Sequence, residues 1–119
     1  MFNHMVEDSA VLDGAFHALA HPARRDMLRR LSEGALTVGE LAAPLSMSLA
    51  AASKHVIVLE RAALVRRTVE GRRHVCRLDP EPLASATDWL RFYERYWNER
   101  LDDLQALLEE DHPTKETNR

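Results

Sequence analysis

The most constraining feature of the sequence is a pair of helix start signals that lie close together in its first half. Thr37 and Glu40 fit a capping box, in which a threonine before the helix and a glutamate three residues later satisfy the first free N–H groups. Pro44 keeps this helix short, because proline lacks an N–H and clashes with the preceding turn. After a tight turn, Ser48 can cap a second and longer helix. A short helix, a tight turn and a longer helix make up the helix-turn-helix pattern.

The spacing of apolar residues predicts the other elements. Helical spacing predicts two helices before this pattern, over residues 9–20 and 22–33. The period then changes to strict alternation over residues 65–69 and 72–78, with Gly71 between them. That change predicts a two-stranded β-hairpin with a basic tip.

The last element is a long helix over about residues 81–110, whose apolar residues form a heptad-like seam. Leu83, Leu90, Trp97 and Leu104 recur every seven residues. A helix of this length is longer than a small domain is wide, so part of the seam needs a partner, most simply the same helix of a second subunit. A helix that lies wholly on its own core is the alternative. The residues predicted at the dimer interface are Val11, Leu12, Phe16, Leu90, Tyr93, Trp97, Leu101, Leu104 and Leu108.

Together these elements predict a mainly α fold with a small β-hairpin, in the order α-α-α-α-β-β-α. With 119 residues the chain fits one domain, which we expect over residues 9–110. Residues 1–8 are expected to be a flexible N-terminus and residues 111–119 a disordered tail. The dimer would form through the first and last helices.

The net charge of −3 hides a basic region. Residues 54–77 contain seven Lys or Arg and two Glu, a local charge of +5. A polyanion responds to this local field more than to the total charge, so the region is a candidate nucleic-acid surface. A solvated charged face is the alternative.

Five segments carry a resemblance that spans about residues 11–110: LAHPARRDMLRRL, LTVGELA, SLAAASKHVIVLERAALV, GRRHVCRLDP and WLRFYERYWNERLDDLQALLEE. In this order they resemble the ArsR/SmtB family of bacterial winged-helix repressors. The resemblance implies a winged helix-turn-helix homodimer that binds double-stranded DNA at an imperfect inverted repeat. In that family an effector usually relieves repression.

The expected DNA contacts come from two elements. The first turns of the second helix of the pattern would lie in the major groove, and the arginines of the hairpin would contact the minor groove or backbone. Few of these groove residues can form bidentate hydrogen bonds, and Leu49 and the alanines offer methyl contacts that can favour thymine. For His55, packing beside the hairpin is an equal alternative. The predicted contact residues are Ser48, Leu49, Ala51, Ser53, Lys54, His55, Arg66, Arg67, Arg72 and Arg73.

Arg24 and Arg25 start the second helix. They could contact phosphate, but ion pairs with nearby acids such as Asp26 or Glu33 are the favoured interpretation.

The sequence gives no familiar sensing site. The third helix has no cysteine and the last helix, over 81–110, has no histidine, so the family's metal sites do not transfer and no metal or cofactor is expected. Asp13, His17 and His21 lie on one helical face, where a polar edge is favoured over a metal site. Cys76 shares an alternating face with His74 and should be a buried apolar residue in the core. The effector, if any, stays unknown.

The remaining patterns exclude other classes of protein. No nucleophile–base pair or phosphate loop is present, so an enzyme is not expected. No signal peptide or membrane-spanning run appears, which predicts a cytoplasmic location without membrane association. A compact dimer favours repression over activation. A dimeric protein-interaction module with weak or lost DNA binding is the alternative function.

Overall fold

The computed structural model describes residues 2–111, with side chains described for residues 9–110. Along the chain, the helix-turn-helix pattern follows two helices and a short strand and precedes a β-hairpin and a long last helix. The elements are α1 (Phe2–Leu19), α2 (Pro22–Leu31), β1 (Leu36–Thr37), α3 (Val38–Ala42) with a 3-10 turn (Ala43–Leu45), α4 (Leu49–Arg61), β2 (Val65–Glu70), β3 (Arg73–Leu78) and α5 (Glu81–Asp111).

Local capping produces the two helices of the pattern as predicted. The Thr37 hydroxyl accepts from the Glu40 N–H at 3.1 Å, and the Glu40 carboxylate accepts from the Thr37 N–H at 2.8 Å. Pro44 lies in the 3-10 turn that ends α3, and Ser46 takes the left-handed conformation with φ 53°. The Ser48 hydroxyl then accepts from the Ala51 N–H at 3.1 Å and starts α4.

The ends of the chain differ from the expectation in one respect. Helix α1 begins at Phe2 and not near residue 9, so its backbone includes most of the segment 1–8 that was expected to be a flexible N-terminus. Helix α5 continues to Asp111, and the rest of the predicted disordered tail lies outside the described residues.

The sheet has a third strand that the sequence analysis missed. Strand β1 pairs antiparallel with β3, with Leu36 opposite Cys76, and the strand order is β1-β3-β2. The predicted hairpin is confirmed, with Val65 opposite Leu78 and Glu70 opposite Arg73. A strand of two residues has no alternation to detect, which explains the omission.

The core lies between α2, α3, α4 and the sheet. Met27, Leu41, Leu59 and Leu64 are fully buried there, and Cys76 joins them. Burial raises the pKa of the Cys76 thiol, because the apolar surroundings disfavour the charged thiolate. Cys76 therefore packs as a small apolar residue, as predicted. On α4 the buried residues Ala52, Val56 and Leu59 form one stripe, so the opposite face of the helix is outward.

The chain forms two compact units, one up to Ala86 and one from Thr87 onward. The described part of the second unit, residues 87–111, is helical and belongs to α5, and all of its described side chains are exposed, including Trp97 and Leu104. Within residues 2–111, no single helix is long and apolar enough to cross a membrane. The segments Val38–Leu45 and Leu49–Arg61 reach the necessary length and apolar composition together, but the chain bends by 115° between them.

Candidate nucleic-acid interface

A cleft of about 470 Å³ lies between α4 and the β2–β3 hairpin. Leu49 and Ser53 line it from the first turns of α4, and Arg72, Arg73 and His74 line it from the hairpin. The start of α3 closes the third side. The cleft therefore joins the two elements that were predicted to contact DNA.

The outward face of α4 carries several of the predicted contact residues. Leu49 is 63% exposed, Ser48 and Lys54 are exposed, and Ala51 and Ser53 are half-buried. Ile57, which is 36% exposed, was not predicted. It lies one turn after Ser53 on the same face, so a helical wheel drawn from the correct helix start identifies it.

His55 belongs to a different face of α4 and contacts the α1–α2 junction. Its ring lies 4.5 Å from the ring of His21, and its Nδ1 is 3.3 Å from Nη1 of Arg24. Burial, with smaller effects of His21 and Arg24, lowers the pKa of His55 from its ordinary 6.5. The alternative of packing beside the hairpin is therefore wrong, because the neighbours of His55 come from the earlier helices.

Among the side chains that the structure describes, Arg24 and Arg25 bind backbone carbonyls and no acid, so the ion pairs expected with Asp26 or Glu33 are wrong. Nε of Arg24 donates to the Ala18 carbonyl at 2.7 Å, and Arg25 donates to the last carbonyl of α1 at 2.8 Å. The terminal carbonyls of a helix lack partners within it, and these guanidinium groups supply them. Asp26 instead pairs with later arginines of α2. Arg24 is consequently buried, with 9% of its surface exposed.

The tip of the hairpin is a two-residue turn. Gly71 occupies its first position with φ 67°, in the left-handed region where a side chain would be strained. Arg72 and Arg73 are exposed, and neither forms an ion pair with another residue whose side chain is described. Two arginine side chains at the tip thus keep their charges available.

The two arginines of β2 each pair with an acid of the same chain, Arg66 with an exposed side chain and Arg67 with a largely covered one. Arg66 pairs with Asp79 at 3.0 Å. Arg67, with 19% of its side chain exposed, pairs with Glu60 of α4 and ties the hairpin to the helix. The DNA contacts predicted for both stay predictions; their ion pairs were not foreseen, because a charge count cannot separate paired from unpaired arginines.

His74 lies on the same face of β3 as Cys76 but is exposed, contrary to the prediction that this face turns it inward. It sits next to the turn and lines the cleft. The alternation predicts which side chains share a face of the strand, but it does not predict whether the core extends under every residue of that face.

The row predicted for Asp13, His17 and His21 does not come together around one point. No group of three His, Cys, Asp or Glu among the residues that the structure describes could hold a metal ion. His21 has a local contact of its own: its Nδ1 accepts from the Ala23 N–H at 3.1 Å and caps α2.

This geometry defines a class of protein. A short helix, a tight turn and an outward-facing longer helix stand beside a hairpin with exposed arginines at its tip, which is a winged helix-turn-helix domain of DNA-binding regulators. A family model described as a helix-turn-helix domain matches residues 19–68.

Comparison with known proteins identifies the family. The HTH-type transcriptional regulator Rv2034 of Mycobacterium tuberculosis is 40% identical over 97 residues, which cover 82% of this chain and 88% of that protein. The ArsR family transcriptional regulator RHA00566, known from a crystal structure, is 39% identical in sequence to this chain. The structural match covers 76% of this chain and 93% of that protein, with a TM-score of 0.69. HlyU from Vibrio cholerae is 31% identical, with coverages of 71% and 94% and a TM-score of 0.59. The chain belongs to the ArsR/SmtB family of winged helix-turn-helix transcriptional regulators.

Proposed function

We propose that this DNA-binding regulator is a homodimeric repressor that binds an inverted-repeat operator. The observation that carries the proposal is the cleft at which the exposed start of α4 meets Arg72 and Arg73, which form no ion pair with another described side chain. The major groove, about 12 Å wide, admits a helix, and the adjacent minor groove attracts arginine. Helix α4 would thus be the recognition helix and the hairpin the wing.

The contact residues divide into two groups in this proposal. The direct contacts are those with exposed or half-exposed side chains on α4 and at the wing tip. His55 would support α4 indirectly, because it contacts the earlier helices. Arg67 lines the cleft but would contribute less than the tip arginines, because Glu60 already pairs with it. Arg66 would contribute less than the tip arginines since Asp79 holds it. The direct contacts are Ser48, Leu49, Ala51, Ser53, Lys54, Arg72 and Arg73.

The dimer proposal rests on the exposed apolar surface of α5. Leu90, Tyr93, Trp97, Leu101, Leu104 and Leu108 are between 43% and 61% exposed within one chain. An apolar strip this long is rare on a protein that functions as a monomer. In α1, Val11 is 43% exposed, while Leu12 and Phe16 are half-buried. A twofold pairing through these helices would match the symmetry of an inverted repeat.

Repression needs only that the dimer occupy DNA where polymerase must bind, and action on DNA implies a cytoplasmic location. The test combines a gel shift on DNA upstream of the gene with run-off transcription from that DNA. We expect a shift at low salt and fewer transcripts as protein is added. More transcripts would indicate an activator. No shift, together with a stable complex with another protein, would favour a protein-interaction module, a function that the exposed Leu49 and Ile57 also suit.

A further inference from the structure

The outward face of α4 is unusually apolar for an exposed helix. Leu49 is 63% exposed, Ile57 is 36% exposed, and Ala50 between them is also exposed. The outward face of a helix in a globular domain normally carries polar residues, because water covers it. This face therefore fits a partner that offers apolar groups.

These side chains lie outside the core. The buried stripe of α4 consists of Ala52, Val56 and Leu59. Ala50 and Ile57 lie on the other side of the helix, whereas Leu49 borders the stripe in the first turn and is still 63% exposed. Residues 50 and 57 are two turns apart and share the outward face. Leu49 borders the cleft beside Ser53. A molecule that binds in the cleft would therefore contact this apolar surface at Leu49.

Cations surround this apolar face. Lys54 is exposed on α4, and Arg72 and Arg73 line the opposite wall of the cleft. A partner that fits both the apolar face and the nearby cations has apolar groups with negative charges on either side of them. The major groove of DNA has that character, because its one apolar group is the C5-methyl of thymine and phosphates border it on both sides.

We propose that the first turns of α4 select operator sequence through thymine methyl groups, with Leu49 as the main contact. The inference rests on the proposed function, since it places α4 in the major groove. Leu49, Ala50 and Ile57 can form no hydrogen bond with a base through their side chains. Selectivity at these base pairs then follows from the apolar contact, and the bound sequence contains thymine at fixed positions in each half.

Replacing thymine by uracil tests this directly, because it removes the methyl group and keeps the base-pairing and hydrogen-bonding pattern. A bound duplex is first selected from random DNA, and the same sequence is then made with deoxyuridine. A buried methyl corresponds to about a fourfold change in affinity, so one contact in each half-site gives a loss of more than about tenfold. The readout is the ratio of the Kd values for the two duplexes, measured by fluorescence anisotropy.

The variant Leu49→Ala distinguishes a methyl contact from a change in DNA shape. Its Kd ratio should fall toward one, because the group that contacts the methyl is gone. The matched control is Val69→Ala in the wing, where the valine is 64% exposed; it should keep the full ratio, since the minor groove presents no methyl group.

Three results would overturn the inference. Equal affinity of the wild-type protein for both duplexes would exclude methyl selection while leaving DNA binding intact. An undiminished ratio in Leu49→Ala would place the contact elsewhere. If no duplex binds, the proposed function itself fails, and stable binding to an apolar protein surface would then account for this face.

Discussion

The double variant Arg72→Ala with Arg73→Ala should make DNA binding much less sensitive to salt. Both side chains are exposed and form no ion pair with another described side chain, so their removal should leave the free energy of unfolding unchanged. Each phosphate neutralised by a cation adds about 0.9 to the slope of log affinity against log salt. Two arginines in each wing correspond to about 1.8 per subunit and about 3.6 per dimer.

The slope translates into a large difference in affinity. If the protein binds as the proposed dimer, the wild type should lose roughly 100-fold more affinity than the variant between about 50 and 200 mM salt. Fluorescence anisotropy with one duplex over several salt concentrations measures both slopes. Because phosphate contacts carry no sequence information, binding to nonspecific DNA should weaken in parallel.

Two further variants control for charge and location. Arg66→Ala with Arg77→Ala removes the same charge from the same hairpin, but Asp79 and Glu70 already pair with these side chains. This control should change the slope by less than one phosphate per subunit. Replacing the two tip residues Arg72 and Arg73 by lysine should keep most of the slope. If the alanine tip variant and the wild type share one slope, the hairpin does not contact DNA and its assignment as a wing fails.

Three predictions concern the stability of the first compact unit. Arg24→Met should cost about 1–3 kcal/mol in denaturant unfolding, since it leaves carbonyls at the end of α1 without a donor; a cost near zero would contradict this role. Cys76 should react with a thiol reagent only upon unfolding, because it is fully buried and burial raises its pKa; rapid labelling of the native protein would refute the placement. Burial beside His21 and Arg24 lowers the pKa of His55, so the unfolded chain takes up that proton more readily. The stability from this group is complete above about pH 6.5 and is lost as the pH falls through the lowered pKa. His55→Gln should flatten this dependence in unfolding midpoints measured at about pH 7.5 and 5.5, whereas the exposed His74→Gln should not.

The helix-turn-helix could be predicted because its signals are local. Each capping bond joins residues three apart, so Thr37, Glu40 and Ser48 determine where α3 and α4 begin without help from the rest of the fold. Strand β1 could not be predicted, because its two residues become a strand only when β3 lies beside them.

The candidate site was only partly predictable for the same reason. Leu49 and the tip arginines follow from the register of α4 and the position of the turn. The bonds of Arg67 and His55 depend on tertiary packing: Glu60, seven residues before Arg67, lies across the hairpin–helix contact, and Arg24, 31 residues before His55, lies across the helix–helix contact. The sequence shows that position 67 carries a positive charge and position 55 an imidazole. Only tertiary packing shows that Glu60 already pairs with Arg67 and that Arg24 already contacts His55.

The central claim is that two copies of this chain bind one inverted repeat through α4 and the wing. Native mass spectrometry of the complex with a duplex selected from random DNA tests it most directly. We expect a mass of two chains and one duplex when both half-sites are present, and a much weaker complex when one half-site is scrambled. A complex with a single chain on the intact repeat, or the same affinity for the scrambled duplex, would contradict the account.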